Sequence, residues 1–289
     1  MLLQNYLERI AYDSGISPSL GVLEALLAHH VQSVPFENVD VQLGTSLTTD
    51  PAAAYEKIVL QQRGGWCYEQ NGLFGWALSE VGFDVTRVAA AVMRIERGDM
   101  ASANHLCLLV TPVDTDQTFL VDVGFGGSMI APIPLAESDH QQAPFRIGLR
   151  RTADSHWRFW EDLGKGEFSF DFRAETADED ALSDKCNFLQ TDPSSGFVQN
   201  LVAQIRLPDQ HTTLRGKVFS VATSRGIETT ILGSADELLA VLSNEFRLDV
   251  PAVRDLWPRI EERHAELMRE KELADTYEIR GRANNKSLR

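Results

Sequence analysis

The segment RGGWCYEQN, residues 63–71, holds the side chain best placed for chemistry, Cys67. Two consecutive glycines, Gly64 and Gly65, let the backbone approach another group closely or adopt positive φ. The cysteine follows at the expected first turn of a helix. There the unpaired N–H groups and the helix dipole favour a thiolate, which predicts ionisation below the ordinary thiol value of about 8.5. The same N–H groups could hold a developing oxyanion. A structural cysteine buried beside a turn fits this segment as well, and is the commoner fate of a cysteine.

A nucleophilic thiol needs a base and a group that orients the base. Of the seven histidines, His29 and His30 fall in a predicted helix, and His140, His156, His211 and His264 fall in polar stretches. His105 differs in opening the apolar run HLCLLV, although a histidine satisfied at a strand edge reads the same way. Asp122 is the odd residue in FLVDVGFG, where a carboxylate is costly unless paired or hydrogen-bonded. A hairpin of strands 104–111 and 118–124 about the loop 112–117 makes opposing residue numbers sum to roughly 229. His105 then lies opposite position 124, with Asp122 on the same face at diagonal reach.

The elements that must position these residues change character along the chain. The first 82 residues read as helical. Ser17-Pro18 and Asp50-Pro51 are start signals ahead of LGVLEALLAHHV and AAAYEKIVLQQ. A third helix begins near Cys67, shows Phe74, Leu78 and Val81 on one face, and stops at Gly82. From about residue 85 the runs VTRVAAAVMRI, HLCLLV, TFLVDVGFG, PFRIGLR, HWRFW and FSFDF predict an antiparallel sheet or small barrel. Beyond Asp192-Pro193, strands are expected near GFVQNLVAQIRL, KVFSVAT and IETTIL. A capping box at Ser234–Glu237 precedes LLAVLSNEF, a last helix follows Pro251, and the polar tail 281–289 is expected to be loose.

Composition narrows the function. The 289 residues are 43% hydrophobic and 24% charged, as in ordinary globular proteins. No apolar run is long enough to span a bilayer, and the N-terminus lacks a secretory signal, so a cytoplasmic protein without a membrane partner is expected. Three cysteines, Cys67, Cys107 and Cys186, match neither a disulfide framework nor a zinc pattern. The net charge of −15 argues against a nucleic-acid partner. An anionic ligand would need a local basic patch, for which Arg94 with Arg97 and Arg215 with Lys217 are the candidates.

RGGWCYEQN, SANHLCLL and LVDVGFGG together resemble the arylamine N-acetyltransferase family, and YLERI, VPFENVDVQLG and PSSGFVQNLVAQI match it in order from Tyr6 to about Ile205. The resemblance implies an α+β fold with a cysteine-protease-like core. Its parts would be a helical bundle with the cysteine (1–84), an antiparallel β-barrel with His and Asp (85–192) and a C-terminal α/β lid (193–289). It implies a ping-pong transfer from acetyl-CoA through Cys67, with His105 taking the thiol proton, Asp122 holding the imidazolium, and no metal. The acceptor would be a small arylamine, hydrazine or arylhydroxylamine. Phe36 and Phe125 would line the acceptor pocket, and Gly126 and Gly127 would lie beside the coenzyme. Glu69 and Asn71 are read as support for the helix start. An amide synthase releasing a carrier-bound aromatic polyketide would show the same three residues, as would a cysteine hydrolase or transglutaminase-like enzyme. A binding module that sequesters an arene would keep the fold alone.

Overall fold

The expected helix starts are realised with small shifts. The computed structural model describes residues 1–286, with side chains through Glu272. Helices α1 (Leu3–Arg9) and α2 (Leu20–Ser33) open the chain. Ser19 rather than Ser17 precedes α2 and makes no side-chain cap; the Leu20 N–H instead bonds Asp114 Oδ1 at 2.9 Å. The strand β1 (Phe36–Glu37) and the short helix α3 (Val39–Leu43) interrupt the expected helical run. Asp50 then caps α4 (Pro51–Tyr55) by accepting from the Ala52 N–H, a contact worth about 1 kcal/mol. The chain continues as a π turn over Glu56–Leu60. Helix α5 (Cys67–Val81) starts on the cysteine and ends at Gly82, whose φ of 104° suits a glycine.

Strand β2 (Asp84–Val92) stops three residues short of the expected run, because Met93 turns left-handed into the one-turn helix α6 (Arg94–Arg97). Seven strands follow: β3 (His105–Thr111), β4 (Phe119–Val121), β5 (Ile133–Pro134), β6 (Ser138–Gln142), β7 (Phe145–Arg151), β8 (Trp157–Asp162) and β9 (Glu167–Phe172). With β2 they form an antiparallel sheet of order β5-β4-β3-β2-β9-β8-β7-β6, curled into a nearly closed barrel. The β3–β4 register pairs Leu108 with Val121 and Val110 with Phe119, which is the predicted pairing. One apolar cluster fills the barrel with Phe145, Ile147, Phe159 and Phe170 and runs on into the helices through Leu73, Phe74 and Leu78 of α5. Burying each such side chain stabilises by about 1.5–3 kcal/mol, so α5 is clamped between helices and barrel.

Helix α7 (Glu179–Thr191) has no counterpart in the sequence reading. Only Leu182, Cys186 and Leu189 are buried along it, one face of an otherwise polar segment, and Asp178 caps it through the Asp180 and Ala181 N–H groups. GFVQ, expected as strand, forms the short helix α8 (Gly196–Gln199), capped by Ser195. Strands β10 (Val202–Leu207), β11 (Gln210–Arg215), β12 (Val218–Thr223) and β13 (Gly226–Ile231) make a second sheet, with β1 paired to β10 at its edge. The polar strand β11 was not expected. Helix α9 (Ala235–Phe246) is capped by Ser234, which accepts from the Glu237 N–H, while the Glu237 carboxylate takes the Gly233 N–H. A 3-10 turn over Pro251–Leu256 leads into α10 (Trp257–Lys286). That helix includes the first six residues of the tail expected to be loose, and 287–289 lie outside the described residues. No described helix is long and apolar enough to cross a membrane.

His30 fastens α2 to α5. Tyr6 donates its hydroxyl proton to His30 Nδ1 at 2.9 Å, and His30 Nε2 donates to Gln70 Oε1 at 3.2 Å. The ring is therefore neutral, and burial pulls its pKa down to about 3. The unfolded chain binds this proton near pH 6.5, so the unfolded state carries more protons between about 3 and 6.5 and stability drops as pH falls through that window. A His30→Gln variant should lessen the pH dependence of the urea midpoint between pH 6.5 and 4, by up to about 1.4 kcal/mol per pH unit. An unaltered slope would show that His30 is not held neutral.

Candidate active site

Close approach, rather than positive φ, is what the paired glycines provide. A Cβ on Gly64 would stand 2.3 Å from the Pro35 carbonyl oxygen, and one on Gly65 would stand 3.0 Å from Glu69 Cβ. Arg63, Gly64 and Gly65 therefore pass tightly under β1, and the chain enters α5 with Cys67 as its first residue. Glu69 accepts the Trp66 N–H at 3.2 Å, fixing the helix start as expected.

His105 and Asp122 meet as the register requires. His105 Nε2 lies 2.6 Å from Asp122 Oδ2, and both side chains are almost wholly buried. Asp122 Oδ1 accepts from the Gly124 N–H at 2.8 Å and from Asn71 Nδ2 at 2.8 Å. Asn71 also donates to the Leu106 carbonyl at 2.6 Å and accepts from the Val123 N–H at 3.0 Å. Asn71 thus does more than support the helix start. It ties α5 to both strands that carry the pair. Its position one helical turn after Cys67, on the same face, is a signal that the sequence contained.

The thiol environment reverses the expected sign. Cys67 is 3% exposed, inside an apolar cluster with Trp66, Phe36, Leu106 and Cys186. Burial, then the Asp122 charge and Cys186, push its pKa well above the ordinary thiol value, while the backbone N–H groups of Leu106 and Tyr68 pull it down by less. Taking an isolated anion out of water outweighs what a helix terminus returns. Cys107 and Cys186 are also buried free thiols with raised pKa values, Cys186 to about 12. What distinguishes Cys67 is its place as the first residue of α5 and in one apolar cluster with Leu106, the residue after His105. Because Nε2 is committed to Asp122, Nδ1 is the ring nitrogen left to receive a proton.

Phe36 lies in the Cys67 cluster, with its ring 6.2 Å from that of Phe197. Phe125 packs edge-on to His105 at 5.4 Å and stacks on Phe168 at 5.1 Å. The glycine segment passes directly over Cys67, since a Cβ on Gly124 would stand 2.7 Å from Cys67 Cα. Gly126 and Gly127 are both left-handed, at φ 115° and 106°, and face Gln204, Arg206 and His211.

Beneath the helix start lies a charge cluster that the sequence reading missed. Lys57 Nζ is 2.9 Å from Asp40, 3.0 Å from Glu69 and 3.7 Å from Glu37, and Arg63 reaches Glu37 at 2.9 Å and Asp40 at 3.0 Å. Burial alone would lower the Lys57 pKa, but the three carboxylates outweigh it and raise it. Burial pushes Glu69 up to about 7 against the pull of Lys57. Neither basic pair singled out in the sequence is free of carboxylate partners. Arg94 pairs with Asp154 and with Asp171, and Lys217 pairs with Glu261 at 3.5 Å. Arg94 lines a cavity of about 560 Å³, bordered also by Ala89, Ala103 and Asp171, that does not open on Cys67.

A helix-borne cysteine facing a barrel-borne His–Asp pair is the arrangement of a cysteine-protease-like core, and the model of an N-acetyltransferase family matches residues 19–254. The arylamine N-acetyltransferase of Mycolicibacterium smegmatis is 35% identical over 271 residues, covering 91% of this chain and 98% of the relative. Its solved structure superposes with a TM-score of 0.83 at 33% identity, covering 91% and 98% of the two chains. That of the Mycobacterium marinum arylamine N-acetyltransferase in complex with CoA gives 0.82 at 30% identity, with the same coverage. The chain belongs to the arylamine N-acetyltransferase family. It is an acyltransferase whose family activity is N-acetylation from acetyl-CoA.

Replacing Asn71 by Ala leaves the Val123 N–H without its buried partner and Asp122 Oδ1 with the Gly124 N–H alone, at a cost of about 1–3 kcal/mol. Asn71→Ala should fold with a lowered urea midpoint, and its Cys67 should react with iodoacetamide about tenfold or more slowly at neutral pH. Full reactivity would mean that Asn71 has no part in holding the pair.

Proposed function

We propose that the chain acetylates an aromatic amine or hydrazine in the cytosol by a ping-pong route through acetyl-Cys67. The supporting observation is the buried 2.6 Å contact between His105 and Asp122, next to the apolar cluster that holds Cys67 together with Leu106, the residue after His105. In the first half-reaction Cys67 Sγ attacks the thioester carbon of acetyl-CoA as its proton passes to His105 Nδ1. The free N–H groups at the start of α5 receive the carbonyl oxygen as it gains charge. The intermediate collapses, coenzyme A leaves as a thiolate and takes the proton from His105, and Cys67 carries the acetyl group. In the second half-reaction the amine nitrogen attacks that carbonyl and gives its proton to His105, and Cys67 leaves and is reprotonated.

Burial disfavours a lone thiolate, so the charge on Cys67 forms together with the imidazolium of His105. Asp122 faces the imidazolium that forms and lowers its energy. Phe36 and Phe125, apolar and beside the reacting residues, form the arene side in this reading. Gly126 and Gly127 lie beside the coenzyme in this reading, packed closely on Gln204, Arg206 and His211. The cysteine, the His–Asp pair and strands β10 to β13 fall in the units 1–84, 85–192 and 193–289, a division that follows the order of helices, barrel and C-terminal elements, with β1 of the first unit joining the last sheet.

Incubation with acetyl-CoA and no acceptor, followed by peptide mass spectrometry, should find one acetyl group on Cys67. Its absence would sink the ping-pong route and favour a carrier-bound acyl donor. Asp122→Asn should remain folded and lose at least about 100-fold in the rate of that acetylation; near-normal rates would remove Asp122 from the mechanism. Inactivation by iodoacetamide should show a step well below the pH at which so buried a thiol would ionise unaided, because His105 takes the thiol proton. His105→Gln should erase that step and leave only an alkaline rise. A step that survives the substitution would assign the base elsewhere.

A further inference from the structure

The segment 124–128 covers the site, anchored at its start by the Gly124 N–H on Asp122 and by the Phe125 ring, while its two central glycines carry no side chain to hold it. Two consecutive left-handed glycines, Gly126 and Gly127, give it more conformational freedom than any other pairing of residues. It nevertheless carries Phe125, whose ring rests on His105 at 5.4 Å and is also packed against Phe170 at 4.9 Å and Phe159 at 5.7 Å. The restraint comes from the turn of β10 and β11, some 80 residues later. His211, 7% exposed, donates from Nε2 to the Gly126 carbonyl at 2.7 Å. Burial draws its pKa down to about 4, so the ring is neutral and donates from one nitrogen only.

Arg206 is wholly buried and, among the described residues, forms no ion pair. Its donors go to backbone carbonyls: Nε to Ser128 at 3.4 Å, Nη2 to Gln142 at 2.9 Å and to Ala143, and Nη1 to Gln210 at 3.2 Å and to Leu207. A Cβ on Gly127 would stand 3.0 Å from Arg206 Cβ and 3.5 Å from the His211 ring, so the segment lies directly on both side chains. No described carboxylate comes within ion-pair distance of Arg206, although Asp209 and Glu161 are near enough to favour its charge, and burying a guanidinium is expensive. Here it joins three stretches of chain, the glycine segment, the β6–β7 turn and the β10–β11 turn.

We propose that Arg206 and His211 are positioning residues for the transfer reaction: they pin the glycine segment so that Phe125 holds the His105 ring against Asp122 and away from water. The role in transfer rests on the chemistry proposed above; the pinning itself does not. Neither residue touches the reacting atoms, so both act through Phe125. This distinguishes them from side chains that merely dock one sheet on the other.

The test is a double-mutant cycle on the full chain, combining Phe125→Ala with His211→Leu and, separately, with Arg206→Lys. Two quantities are read: the single-turnover acetylation rate of Cys67, and the pH midpoint of its alkylation by iodoacetamide. His211→Leu and Arg206→Lys should each slow acetylation about tenfold and shift that midpoint by about half a unit or more. His211→Gln, whose amide can still donate to Gly126, should stay within about threefold of the starting protein. On a Phe125→Ala background either clamp substitution should add less than about twofold. Additive effects, or an unmoved midpoint in a folded variant, would overturn the proposal. So would a failure of both clamp variants to fold, since the pair would then be a requirement of the core. Alkylation needs no acetyl donor. A starting protein that takes no acetyl group but shows the shifted midpoints would therefore defeat the transfer reading and leave the pinning intact.

Discussion

The short contact between His105 and Asp122 is the constraint around which the molecule is arranged. Both partners are almost fully withdrawn from water. A buried carboxylate is tolerable only when its lone pairs are occupied. Asp122 meets that condition with donors from the imidazole, Gly124 and Asn71, which arrive from β3, from its own turn and from α5. Each donor fixes one element relative to another. Moving α5 would strip Asn71 from the carboxylate, and slipping β3 against β4 by one residue would turn His105 to the opposite face. The chemistry and the packing are thus stabilised by the same bonds.

A second set of buried charges works on the other side of Cys67. Glu37, Asp40 and Glu69 surround Lys57, with Arg63 closing the group. Three carboxylates against two cations leave this cluster negative when all are ionised, and burial, with Glu37 adding to it, raises Glu69 to about 7. The cluster joins β1, α3, the π turn and the entrance to α5, so the nucleophile's helix is fixed at its first turn from below as well as from the barrel. Removing one partner of such a group costs more than the group adds to stability, because a charge is left buried and unmatched.

How much of this was legible in the chain follows from where each partner lies. Cys67 at a helix start could be read because glycine pair, nucleophile and helix are contiguous. The His105–Asp122 contact could be read because two apolar strands about a short loop have a calculable register. Asn71 was visible as a neighbour of Cys67 on the helix face, but its partners are backbone groups and a carboxylate 51 residues away. Lys57 looked like an ordinary charge in a helix, and only the π turn and the approach of β1 bury it. Arg206 and His211 gave no signal at all, because carbonyl oxygens carry no residue identity. The polar elements α7 and β11 escaped for a related reason. Each is secured by one apolar face or by backbone pairing, and neither leaves a strong period in the sequence.

The raised pKa of the thiol bears on why this site would transfer an acyl group rather than hydrolyse one. A thiolate exposed at a helix start would be easier to form, but a site open enough to solvate it would also admit water to the acetyl-cysteine. Burial disfavours the free anion and also keeps water from the thioester. The cost falls away if the charge never exists alone, because passing the proton to His105 creates a cation beside the anion, and Asp122 is already in place to face that cation. An apolar enclosure around Cys67, with Phe125 over the imidazole, then favours an acceptor that brings its own hydrocarbon surface. An arylamine buries a ring as it attacks and gains the transfer free energy of that surface, which a water molecule cannot do. In the proposed reaction, exclusion of water and selection of an aromatic nucleophile are the same physical effect.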